Sequence, residues 1–189
     1  MMRILHLDEN HPILVEQLAV FGFENIVDTQ SSKELIAKDI AQYHGLVIRS
    51  RFPIDKPFLQ KAKNLKFIAR VGSGLENIDV KTATEMDIEV LAAPEGSSAS
   101  VGEHALGMLL SLLNKLPQGN KEVRLGKWAR EANRGEELGG KTIGIIGYGH
   151  TGKQFARKLA GFDVKVLCHD IINNAVSYTH LTLPTTWLV

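Results

Sequence analysis

The chain of 189 residues contains a single cysteine, Cys168. One thiol cannot build a disulfide framework, which fits a reducing compartment and leads us to expect a cytoplasmic protein. Charge of one sign is also missing: 22 Lys and Arg face 21 Asp and Glu, for a formal net charge of +1. That balance gives no basic excess for nucleic acid. No apolar run approaches the length of about 20 residues that a membrane span requires. The first ten residues, MMRILHLDEN, are too short and too mixed for a signal peptide. No repeat of solenoid period is present.

What is present centres on residues 140–170, GKTIGIIGYGHTGKQFARKLAGFDVKVLCHD. Lys141 to Ile146 is a β-branched, apolar run, long enough for one buried strand. Gly147-Tyr148-Gly149-His150-Thr151-Gly152 follows, a G-x-G-x-x-G. A helical pattern with Phe155, Leu159 and Phe162 comes next, then a second apolar strand, Val164 to Cys168, running into Asp170. Strand, glycine turn, helix, strand and a terminal carboxylate make up the full context of a dinucleotide-binding unit. Gly147 permits the tight turn, Gly149 lets the backbone approach a pyrophosphate, and Gly152 lets the helix pack close to the strand. The first-turn N–H groups near His150 and Thr151 face the phosphates. Asp170 is suited to accept hydrogen bonds from ribose hydroxyls and would repel a 2′-phosphate, which argues for NAD over NADP. A Gly-rich turn serving S-adenosylmethionine or FAD is the competing reading.

Upstream, strands and helices alternate. Strands are expected at Arg3–Leu7, Asn25–Val27, Gly45–Ile48, Lys66–Val71 and Ile88–Ala92. Between them, Pro12 opens a helix with Ile13, Leu14 and Leu18 inward. Ser31-Ser32-Lys33-Glu34 fits a capping box for a helix burying Leu35, Ile36 and Ile40. Pro57–Leu65 reads as a helix with Phe58, Leu59 and Ala62 inward, and Asp79 caps a short helix. This alternation predicts an α/β fold with a parallel, doubly wound sheet, whose ligands bind beyond the carboxyl ends of the strands. Those ends carry Asp8, Arg49-Ser50, Arg70 to Gly74 and Ala93-Pro94. From Ser97 to Leu116 the pattern is one long helix with a broad apolar face of the kind found between domains or subunits. Pro117 is expected to end it, and a second helical piece reaches Trp128. The expected organisation is a first domain over 1–95 and part of a second over 96–174. The remainder, 175–189, reads as a non-native tail: VSYTHLTLPT resembles a translated sequencing adapter.

Several separate stretches carry a family resemblance: LVIRS (46–50), ARVGSGLENID (69–79), APEGSSASVGEHALGMLL (93–110), GKW, ELGGKTIGIIGYGHTG (137–152) and VLCHD (166–170). Together they resemble the D-2-hydroxyacid dehydrogenases, and within them the members acting on phosphoglycerate. The resemblance implies a flavodoxin-like substrate domain followed by the first part of a Rossmann NAD-binding domain. It implies hydride transfer between NAD and a D-2-hydroxy acid, here D-3-phosphoglycerate oxidised to 3-phosphohydroxypyruvate in serine biosynthesis. By the same resemblance, backbone N–H groups at Gly72, Ser73 and Gly74 would bind the substrate carboxylate. Ser73 would also touch the cofactor. Arg49 and Arg70, with Ser50 beside them, would face a substrate phosphate. Gly147, Gly149, His150, Thr151, Gly152 and Asp170 would hold the cofactor. The chain departs from the family pattern at Ser97, often Asn, at Glu76, commonly Asp, and at His150-Thr151, often Arg-Ile.

Blander roles compete for other residues. Arg49 has an ordinary ion pair as its alternative, and Arg130 and Arg134 suit a solvated loop. His104 suits packing or capping. Cys168 and His169 are adjacent on a strand and point to opposite faces, so no metal site is expected. The family's catalytic base, a His, and its partner Glu and Arg match no residue of this chain. The expectation is therefore an incomplete, catalytically inactive enzyme, poorly soluble through an uncovered sheet face, from a full-length protein that forms a homodimer or larger assembly. Two alternatives remain open. One is a member acting on glycerate, lactate or formate; the other is an NAD-binding, corepressor-like relative without catalysis.

Overall fold

The computed structural model describes residues 1–171. The expected tail at 175–189 lies outside the described residues, as does the end of the expected second domain. Two compact units are present, Met1–Pro94 and a second starting at Glu95.

The first unit alternates strand and helix throughout. Its elements are β1 (Arg3–His6), α1 (Pro12–Val20), β2 (Glu24–Val27), α2 (Lys33–Asp39), β3 (Gly45–Ile48), α3 (Lys56–Leu59), β4 (Phe67–Arg70), α4 (Val80–Glu85) and β5 (Glu89–Ala92). The strands form one sheet in the order β2-β1-β3-β4-β5, and every pairing is parallel. This is the flavodoxin-like order, with its switch point between β1 and β3. β3 is central and fully buried, as its unbroken apolar run requires. Ile4, Leu7, Leu46, Ile48, Leu59 and Ile68 are completely buried. Gly45 stands opposite Phe67 in the β3–β4 register. A Cβ at Gly45 would lie 2.3 Å from the Phe67 ring, so a side chain there would require the ring to move off β3.

Three helix expectations need correction in this unit. On α1, Ile13 is 53% exposed and no residue is fully buried; Leu14, Val15 and Leu18 supply a half-buried face. On α2, Ser32 is the cap, accepting from the Leu35 N–H, and the inward stripe is Ile36, Ala37 and Ile40. Leu35 is 50% exposed, on the side of the helix away from Ile36, Ala37 and Ile40. The helix expected over Pro57–Leu65 is a single turn, Lys56–Leu59, capped by Asp55. Turns follow it and bury Ala62 and Leu65 without helical period, while Asn64 donates to the Ala41 carbonyl at 2.7 Å.

The second unit contains α5 (Glu95–Leu113), α6 (Leu116–Arg124), β6 (Thr142–Ile146), α7 (His150–Leu159) and β7 (Lys165–His169). Strands β6 and β7 pair in parallel, from Thr142 with Lys165 to Ile146 with His169. Leu138, Ile145, Ala156, Leu159 and Val166 form the core, with Leu106, Leu109 and Leu113 packed against it. Helix α5 lies on α7 through its small residues. Ser98 and Gly102 are its buried positions, and a Cβ at Gly102 would come within 3.0 Å of the α7 backbone at Gln154 and Phe155. Lys158 and Glu103 bridge the same two helices at 2.9 Å.

Pro117 does not end α5. It sits in the first turn of α6, where a proline's missing N–H costs nothing. The break falls earlier, where Asn114 bonds back to the Leu110 carbonyl and Lys115 adopts a left-handed φ of 50°. Helix α6 stops at Arg124, short of Trp128.

Candidate functional site

The glycine-rich turn has the geometry its residue types call for. Gly147 continues the β6–β7 ladder by donating to the His169 carbonyl at 2.8 Å, then turns the chain with φ of +91°. A Cβ on Gly152 would stand 2.1 Å from the Gly147 carbonyl oxygen, so the helix reaches this close to the strand only with glycine there. Gly149 differs: a Cβ there would meet no protein atom within 4 Å. Packing among the described residues therefore does not require this glycine, and the space beside its backbone is open. Gly149 is also the N-cap of α7 and provides no side-chain cap, leaving the first-turn N–H groups for an anion. His150 and Thr151 are exposed in that turn.

At the tip of β7, the Asp170 carboxylate accepts from the Tyr148 N–H at 2.5 Å. The acid and the turn are thus joined, as a group reaching a ribose beside a pyrophosphate must be. One contact was not anticipated: His150 Nε2 lies 3.3 Å from Glu95 Oε1, at the start of α5. Cys168 is half-buried against the core, and its neighbour His169 is exposed. His104, midway along α5, is exposed.

In the first unit the substrate-side positions gather at the carboxyl ends of β3 and β4. The register that pairs Ile48 with Arg70 brings Arg49-Ser50 level with Arg70–Gly74. The two loops are sewn together: Asn77 Nδ2 donates to the Arg49 carbonyl at 3.4 Å, and Ile54 N–H to the Asn77 carbonyl at 2.7 Å. At the switch point the Arg49 N–H donates to Asp8 Oδ2 at 2.6 Å. Arg49, Ser50 and Ser73 are exposed.

Two details differ from the expected arrangement. The Arg70 guanidinium folds back over its own turn: Nη1 donates to the Val71 carbonyl at 2.8 Å and lies 2.0 Å from where a Gly72 Cβ would be. Of the three N–H groups expected to bind a carboxylate, that of Gly72 already donates to the Arg70 carbonyl at 2.9 Å. Gly72, with φ of +152°, is needed to let the arginine close over it.

Arg51 escapes a reading of the sequence. Its guanidinium donates to the carbonyls of Leu7 at 3.0 Å, of Asp28, and of Ser31. One side chain therefore ties the ends of β1 and β2 to the loop carrying Arg49 and Ser50. Its alternation with Arg49 was the only available signal, and spacing cannot say which arginine faces carbonyls. His6 was also missed. It is 1% exposed, and its Nε2 contacts Asn25 Oδ1 at 2.9 Å. Asn25 spends its Nδ2 on the Val15 and Phe23 carbonyls, so the histidine donates from Nε2. Nδ1 has no hydrogen-bond partner among the described residues. Burial lowers the His6 pKa from 6.5, against a smaller opposing effect of Asn25.

Comparison with known proteins bears on the family. Residues 4–185 match the family model for the D-isomer specific 2-hydroxyacid dehydrogenase catalytic domain. A D-3-phosphoglycerate dehydrogenase of Archaeoglobus fulgidus is 36% identical over 169 residues, covering 89% of this chain and 32% of that protein. A hydroxypyruvate reductase of Thermotoga maritima is 38% identical over 138 residues, covering 73% of this chain and 45% of that protein. The crystal structure of an NAD-dependent formate dehydrogenase from Staphylococcus aureus in complex with NAD superposes with a TM-score of 0.73 at 27% identity. That match covers 94% of this chain and 59% of the other. The chain spans less than half the length of these two curated relatives.

Proposed function

The chain belongs to the D-isomer specific 2-hydroxyacid dehydrogenases, and from that premise we propose that it carries the substrate domain and the adenosine-binding half of the cofactor site of an NAD-dependent enzyme oxidising D-3-phosphoglycerate. The observation that carries the cofactor reading is the closed set of Gly147, Gly149, Gly152 and Asp170, in which only Gly149 lacks an internal reason to be glycine. The cofactor would supply the hydride acceptor. The residues present would hold its pyrophosphate at the first turn of α7, with His150 and Thr151, and its ribose at Asp170. A carboxylate at that tip disfavours a 2′-phosphate, so NAD is the proposed cofactor.

The substrate reading rests on two arginines, Arg49 and Arg70, at neighbouring strand ends with Ser50 and the 72–74 turn. Two arginines at neighbouring strand ends suit a substrate with two anionic ends, such as a phosphorylated hydroxy acid, for which the Arg70 guanidinium would leave the Val71 carbonyl. The likeness to the Archaeoglobus protein supports the same choice, and serine biosynthesis is its proposed setting. A second reading, action on hydroxypyruvate or glycerate, is favoured by the Thermotoga relative. We also propose a cytoplasmic protein that pairs with a second copy through α5, where Val101, Met108 and Leu112 are exposed. By the family resemblance, the base, its carboxylate and the substrate-holding arginine match no residue of this chain, so the roles assigned to the residues present are binding roles.

Calorimetry tests the proposal directly. NAD should bind the purified chain and NADP should bind more weakly; D-3-phosphoglycerate should bind more tightly than D-glycerate. Preference for NADP would remove the Asp170 argument. Preference for glycerate would favour the second substrate reading. Measurable turnover would show that the chain holds its own base.

A further inference from the structure

We propose that Glu95 is a charge gate on the phosphate end of the dinucleotide site, acting through His150; the inference rests on the cofactor reading above. His150 is the first residue of α7, so its side chain rises from the turn whose N–H groups would face a phosphate. Its Nε2 is 3.3 Å from Glu95 Oε1. The contact is held in register by the helices that carry it. Helix α5 rests on α7 at Gly102, and Lys158 bridges to Glu103 further along.

This geometry gives one imidazole nitrogen two claimants. With no cofactor, the Glu95 carboxylate takes it. A pyrophosphate on the first turn of α7 presents oxygen acceptors to the same side chain and brings negative charge close to the carboxylate. His150 must then turn from one anion to the other, and Glu95 is left facing the phosphate. Glu95 therefore weakens binding of any ligand carrying phosphate at this turn and leaves the adenosine end untouched. The gate holds the empty turn electrically satisfied and sets cofactor affinity below what the glycines and Asp170 alone would give. Both side chains are exposed, at 50% for His150 and 74% for Glu95, so either can be replaced without opening the core.

The test is calorimetry of the whole chain with NAD, ADP and adenosine. Glu95→Gln is expected to tighten NAD and ADP by about three- to fivefold, the scale of like charges a few ångströms apart in water, and to leave adenosine unchanged. His150→Phe should loosen NAD and ADP. Glu103→Gln, which removes the neighbouring bridge between the same helices, should leave all three unchanged. The gate is overturned if Glu95→Gln leaves ADP affinity unchanged, or if it tightens adenosine equally. An equal gain from Glu103→Gln would also overturn it, by assigning the effect to helix packing. If the unaltered chain binds neither NAD nor ADP, the cofactor reading fails and the gate with it. If it binds both and ignores Glu95→Gln, only the gate fails.

Discussion

The Asp170 carboxylate and the Tyr148 N–H, 22 residues apart in sequence, are joined by a hydrogen bond of 2.5 Å. It fastens the tip of β7 to the glycine turn and fixes where a ribose would stand relative to a pyrophosphate. Asp170→Ala should weaken NAD binding by about 10- to 100-fold, the value of a hydrogen-bonded charged group. It should also narrow the gap between NAD and NADP. Titration of both cofactors against the variant checks this, and an unchanged ratio would remove Asp170 from the site.

Two glycines of the turn should respond in opposite ways. Gly152→Ala places a Cβ 2.1 Å from the Gly147 carbonyl oxygen. Relieving that overlap by moving helix or strand should cost about 1–3 kcal/mol. Gly149→Ala meets nothing within 4 Å, so its unfolding midpoint should match the parent while NAD affinity falls. Thermal unfolding and NAD titration on the pair separate packing from binding. A stable Gly152→Ala variant would contradict the packing argument.

Helix α5 approaches α7 only because Gly102 has no side chain. Gly102→Leu should lower the unfolding midpoint of the second unit, whereas Gly107→Leu, facing open space, should not. Hydrogen exchange on α5 and α7 would localise the effect.

His6 makes stability depend on pH. Its pKa is lowered in the folded state, chiefly by burial, so below the unfolded value of 6.5 the unfolded chain binds the proton first. The histidine's contribution is whole above pH 6.5. It is lost as pH falls from there through the lowered folded value. Urea midpoints measured across this range should fall with pH in the parent and less steeply in His6→Gln. Parallel slopes would exclude His6 as the source.

Arg51 holds three carbonyls with one guanidinium. Lysine at that position can keep the charge but not the planar fork. Arg51→Lys should therefore lower stability and loosen the Arg49-Ser50 loop. Phosphoglycerate binding should weaken more than NAD binding, and paired titrations would detect the difference. Equal losses would point to general unfolding.

Much of this was legible because it depends on periodicity and glycine chemistry. The apolar run of β3 and the G-x-G-x-x-G spacing both report directly on local backbone geometry. Helix ends were less legible. Pro117 suits a helix start as well as a stop, and the sequence does not reveal that Lys115 turns left-handed. Leu35 and Ile36 are adjacent apolar residues, and only packing against the sheet decides which of them faces inward. Arg70 and Arg51 show the remaining limit. The family resemblance implied a phosphate for the first and nothing for the second, yet both guanidinium groups bond to backbone carbonyls. Side-chain direction on a loop is set by contacts between distant segments.

The Phe67 ring crossing Gly45 also governs how the first unit comes together during folding. Parallel strands carry little to distinguish one alignment from another when both are uniformly apolar. A two-residue slip of β4 along β3 keeps every side chain on its face, but it drives the ring into Val47 or beyond the strand end. The glycine thus favours the alignment in which the ring lies over it. Such a slip would displace Arg70 from Arg49 by about 6.6 Å, at the strand rise of about 3.3 Å per residue. A position at the opposite end of β3 from Arg49 is thereby coupled to the height at which both arginines emerge.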